Sequence, residues 1–67
     1  MNKFSERLKD LRIDKNLSQT ALSKQTGISQ AAIAKWETGD RTPSMDCLII
    51  LAKFFKVTID YLVGLED

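Results

Sequence analysis

The chain has no histidine and one cysteine, Cys47, among its 67 residues. One thiol closes no intrachain disulfide, and without histidine there is no material for a clustered Cys/His metal centre. The neighbours of Cys47 are apolar apart from Asp46, so no nearby cation favours a reactive thiolate. Glycine and proline are scarce as well, three and one. That leaves no glycine-rich phosphate loop and no flexible linker, and no internal repeat is visible. The longest apolar run, Cys47 to Ala52, is far shorter than the ~20 residues that cross a bilayer. The amino terminus, MNKFSERLKDLR, is charged from its third residue and has no apolar signal core. These absences describe a soluble, cytoplasmic protein with no membrane partner, no metal, no cofactor and no evident small-molecule ligand. An enzyme is the weakest reading, because the acids Glu6, Asp10 and Asp14 recur at helical spacing on what is most simply a solvated face.

What is present is ordinary for a globular chain: 43% hydrophobic and 28% charged residues, which argues against disorder. A chain of this length has room for one small core, so residues 1–67 are read as a single domain. Net charge is only +1, but it is unevenly placed: residues 1–42 carry +3 and residues 43–67 carry −2. A basic front suits an anionic partner on that side.

Periodicity predicts five short helices and no strand. Over residues 3–15, Phe4, Leu8 and Leu11 fall on one face. Ser18 is an N-cap for a second helix through Ala21 and Leu22 to about Gln25, and Gly27 ends it. Ser29 caps a third from Gln30 to about Trp36 or Glu37, with Ile33 and Trp36 inward and Gly39 as its stop. Pro43 breaks the chain, Ser44 caps a fourth helix, and Met45, Leu48, Leu51, Ala52 and Phe55 form its inner stripe. Thr58 caps a last helix with Ile59, Leu62 and Val63, ending at Gly64. The expected fold is all-α, a compact five-helix bundle around one core.

The second and third helices are separated by the three residues Thr26 to Ile28, one of them glycine, and Ser29 restarts the chain. Two helices so joined make a helix-turn-helix, here spanning about residues 18–37. The tight turn lets Leu22 and Ile33 bury together, with Ile28 available to the same core. The outer face of the third helix is left clear for a DNA major groove.

The stretch LSQTALSKQTGISQAAIAKWETGDRTPS resembles the helix-turn-helix segment of the Cro/lambda-repressor (Xre) family, and LAKFFKVTIDYLVG resembles that family's closing pair of helices. The resemblance covers nearly the whole chain. It is carried by Leu17-Ser18-Gln19, Gly27, Trp36-Glu37 with Gly39, Pro43-Ser44, Ala52, and Val57 before Asp60 and Leu62. Two positions depart from it: Ser23 stands where alanine is common, and Asp40 where a basic residue is common.

The resemblance implies a lambda-repressor-like DNA-binding domain and a bacterial or phage-encoded transcription regulator, nucleoid-associated when bound. Its partner would be double-stranded DNA, held by a homodimer. It places Gln19 against a phosphate, and Gln30, Ala31, Ala34 and Lys35 against bases, with Ser29, Thr38 and Arg41 at the same face. Gln30 can bond bidentately to adenine, and the alanine methyls can meet a thymine methyl or admit the helix closely. Lys35 can read guanine or sit on a phosphate; Arg41 and Thr38 suit phosphates. Ala32 is a packing residue.

Glu37 is odd at the negative end of a helix and needs a cation. The family pattern points to Arg12, pairing the first helix with the end of the third. A second apolar stripe of Cys47, Ile50 and Phe54 lies beside the core stripe. The resemblance puts dimer contacts near the start of the last helix, so Ile59 and Tyr61 come first, with Phe54 and Ile50 as extensions. The main alternatives are a protein-interaction module, antitoxin-like or regulator-binding, or the DNA-binding fragment of a longer repressor.

Overall fold

The structure is a computed structural model that describes residues 3–67. Met1 and Asn2 lie outside the described residues. In chain order it runs α1 (Lys3–Asp14), α2 (Gln19–Thr26), α3 (Gln30–Thr38), α4 (Met45–Phe55) and α5 (Ile59–Val63), with no strand among the described residues. This agrees with the all-α expectation, helix by helix.

Local chemistry sets the boundaries. Ser18, Ser29, Ser44 and Thr58 all lie in extended backbone, and each side-chain oxygen accepts from the backbone N–H three residues on. Each satisfies one of the donors that a helix start leaves without a partner, a contribution of about 1 kcal/mol. The stops are left-handed residues. Gly64 is the most constrained, at φ 90°, because a Cβ there would also lie 2.7 Å from the Lys3 Cβ. Two stops use ordinary side chains instead, Asn16 and Lys56, both at φ 58°. Asparagine reaches this region with little penalty, whereas a lysine there costs about 1 kcal/mol.

Each helix contributes one completely buried aliphatic residue to a single core: Leu8, Leu22, Ile33, Leu51 and Leu62. Around them pack Phe4, Ile28, Trp36, Leu48, Ala52 and Phe55. The rings of Phe4 and Trp36 meet edge to face, 6.0 Å between centroids. Helix α1 lies against α3 and α5, α2 against α3 and α4, and α4 against α5. Met45 differs from its expected inward place: it is 60% exposed. It is the first residue of α4, and its side chain extends past the end of the core, so the buried stripe begins at Leu48.

Ser5 has a role that periodicity could not show. It is buried, and its hydroxyl donates to the Trp36 carbonyl at 2.6 Å, fixing the first turn of α1 to the last turn of α3.

Candidate nucleic-acid interface

The α2–α3 corner is built from three local devices. Gly27 adopts φ 79° and donates to the Ser23 carbonyl, closing α2. Thr26 donates its hydroxyl to the Leu22 carbonyl at 2.8 Å and accepts from the Ile28 N–H at 3.3 Å, bracing the turn from inside. Ile28 then turns inward to join Leu22 and Ile33 in the core. Thr26 was not singled out from the sequence. A hydroxyl one residue before a helix-ending glycine, able to bond back to the preceding turn, was the available signal.

With Ile33 and Trp36 buried, α3 turns its remaining residues outward. Gln30, Ala31 and Lys35 are exposed and Ala34 is half-buried, while Ala32 packs against the core. Ser29 is exposed, and its oxygen accepts from the Ala32 N–H at 3.1 Å, which leaves its hydroxyl hydrogen to donate outward. Thr38 is exposed and donates to the Lys35 carbonyl at 3.0 Å. Lys35 and Arg41 extend into solvent, with no side-chain bond to another described residue. The face therefore presents one amide, small methyls and two cations. Such a surface lets a helix approach bases closely, with charge left for phosphates.

The acid within α3 itself does not oppose that use. Glu37 is only 4% exposed at its side chain, and Arg12 Nε and Nη2 donate to its two oxygens at 2.7 and 2.9 Å. Arg12 Nη1 also donates to the Leu17 carbonyl at 2.8 Å, so one guanidinium joins α1, the loop before α2 and the end of α3. The hydrogen bonds that Arg12 donates to Glu37 raise the Arg12 pKa above its ordinary value; burial works the other way, and charge attraction adds to the rise. Gln19 is half-buried, donating to Glu37 at 3.2 Å and accepting from Gln30 at 3.4 Å. One N–H of Gln19 remains for a phosphate.

The residues considered for a dimer face are placed less uniformly. Ile50 is 40% exposed, and Ile49 beside it, not singled out from the sequence, is 38% exposed. Phe54 is half-buried, edge to face with Phe55 and with the Lys15 ammonium 5.8 Å from its centroid. Ile59 packs on the core. Tyr61 is half-buried under the Arg7 guanidinium, 4.2 Å from its ring centroid. Among the described residues there is no cluster able to hold a metal ion, and no helix is long and apolar enough to cross a membrane.

A five-helix core carrying a braced α2–α3 corner, with α3 turned outward, defines a helix-turn-helix DNA-binding unit. The chain belongs to the Cro/lambda-repressor-like (Xre) helix-turn-helix family: the HTH_3 family model, described as helix-turn-helix, matches residues 8–62. It is 47% identical over 64 residues to the transcriptional activator BcrR of Enterococcus faecalis, covering 96% of this chain and 31% of that protein. It is 34% identical over 60 residues to repressor protein C2 of Salmonella phage P22, covering 90% of this chain and 28% of that one. Among solved structures, the restriction-modification controller protein C.AhdI from Aeromonas hydrophila superposes with a TM-score of 0.80 at 32% identity, over 90% of this chain and 91% of that chain. The chain thus spans about a third of the length of BcrR and of C2. The family is one of DNA-binding transcriptional regulators and not of enzymes.

Proposed function

We propose that residues 1–67 form one DNA-binding domain of a sequence-specific repressor, docking as a two-fold dimer on a palindromic operator with α3 in the major groove. The observation that carries this reading is the outward face of α3: Gln30 exposed at its start, small Ala31 and Ala34 beside it, and Lys35 following, above a buried Ile33 and Trp36. Gln30 reads adenine. The alanines admit the helix and meet thymine methyls. Lys35, Arg41, Thr38, Ser29 and the free N–H of Gln19 hold the backbone, so affinity falls steeply with salt.

Exposed Ile50 supports the dimer, with Phe54 on the same helix and Ile59 and Tyr61 on α5. The family includes both an activator and a repressor. Repression is favoured because occupying a promoter suffices for it. The site of action is the cytoplasm, on chromosomal or phage DNA.

Selection of bound sequences from a random DNA pool tests binding, palindromy and half-site spacing together. The expected product is a palindrome with half-sites about 34 Å apart, one helical turn. Gln30→Ala should lower affinity for the selected sequence by about 1–3 kcal/mol and leave random DNA nearly unaffected. A protein that ignores DNA at low salt but captures a stoichiometric protein partner through Ile49 and Ile50 would replace this reading with an interaction module.

A further inference from the structure

The hydrogen bonds around Glu37 do not stop at the ion pair. Arg12 holds both carboxylate oxygens, Glu37 Oε1 also accepts from Gln19 Nε2, and Gln19 Oε1 accepts from Gln30 Nε2. Four side chains from α1, α2 and α3 thus form one line, from a guanidinium packed inside the domain to an amide exposed at the start of α3. Chemistry fixes the direction of that line. A carboxylate only accepts, so Gln19 must turn its nitrogen toward Glu37 and its oxygen away. A carbonyl oxygen also only accepts, so Gln30 must turn its nitrogen toward Gln19. Gln30 is left with its oxygen and one N–H. That is the acceptor and donor pair that matches adenine N6–H and N7. An uncharged amide at position 37 would remove the direction, because it can donate as well as accept and both orientations of Gln19 would then find a partner.

We propose that Arg12 and Glu37 are positioning residues for base reading: through Gln19 they fix the amide orientation of Gln30 and so set its preference for adenine. The inference rests on Gln30 being a base reader. It adds a determinant of specificity within the core, contributed in part by a helix outside the helix-turn-helix.

The test compares base preferences of the full chain and its variants, each measured by selection from the same random DNA pool. The position read by Gln30 is the one whose preference Gln30→Ala removes. At that position Glu37→Gln is expected to weaken the adenine preference about tenfold while preferences elsewhere persist. Gln19→Met, which breaks the line beyond an intact ion pair, is expected to weaken the same position. It covers the case in which Glu37→Gln does not fold. If Glu37→Gln lowers the melting temperature but keeps the adenine preference, or Gln19→Met keeps it, the proposal is overturned while base reading by Gln30 stands. If Gln30→Ala retains every wild-type preference, base reading by Gln30 fails and this proposal fails with it.

Discussion

Two arginines of α1, Arg7 and Arg12, have side chains covered to the same degree, 14% and 13% exposed, yet they hold the molecule in different ways. Arg12 meets a carboxylate that is itself 4% exposed, through two bonds in a fork, and the charges neutralise each other inside the domain. Arg7 has mostly neutral partners: it donates to the Tyr61 carbonyl at 2.7 Å and to the Glu66 carbonyl, and lies over the Tyr61 ring. Its carboxylate, Asp67, is 3.8 Å away and fully exposed. The difference teaches that burial of the partner, rather than of the arginine, decides the strength of the tie. A charge in water can be left without its counterpart at little cost; a buried one cannot.

The largest effect that would sharpen this comparison is on the Arg12 side. Arg12→Ala and Glu37→Ala should each cost about 3 kcal/mol in urea unfolding, because each leaves a covered charge without its counterpart. The double variant should cost clearly less than the two together, and additive losses would break the pairing. Arg7→Ala should cost less, about 1 kcal/mol, for a carbonyl bond and a ring contact. Tyr61→Phe keeps both the ring and the carbonyl and should leave the melting temperature unchanged; a large drop would show that the hydroxyl carries stability beyond these two contacts. Asp67→Asn should have no measurable effect at any salt concentration. The pH response should be smallest of all. The Arg12 pKa is raised on folding, so its contribution is fully present below the ordinary arginine value and is lost only as pH rises through the still higher folded value. The stability gap between wild type and Arg12→Met, measured by urea unfolding from neutral to mildly alkaline pH, should therefore stay constant on account of Arg12.

Much of the fold was legible because its signals are local. A serine or threonine followed by a helical apolar period marked the start of α2, α3, α4 and α5, and each of these residues caps the N–H three residues on. The periods also pointed to Leu8, Leu22, Ile33, Leu51 and Leu62, each of which is fully buried. Met45 fits the same period yet lies outside, because periodicity gives a face and not the point where the core ends. Contacts that join distant parts of the chain leave no such trace. Nothing near Ser5 indicates that its hydroxyl meets a carbonyl 31 residues away, and nothing near Arg7 names Tyr61. At the candidate interface, the need of Glu37 for a cation could be argued from its place at a helix end. That Gln19 bonds to Glu37 and Gln30 could not, since a half-buried glutamine and a solvated one look alike in sequence.

The bond from Ser5 to the Trp36 carbonyl bears on how this domain could be re-engineered. Together with the Arg12–Glu37 pair, it bolts the far end of α3 to a helix that precedes the whole motif. Residues 18–37 are therefore not a portable cassette. Cut out as a peptide, they lose both bolts, and moved into a related domain they need a host first helix with a small hydroxyl and an arginine in register. New binding specificity is better obtained by repainting the outer face of α3 on this chassis than by transplanting the motif.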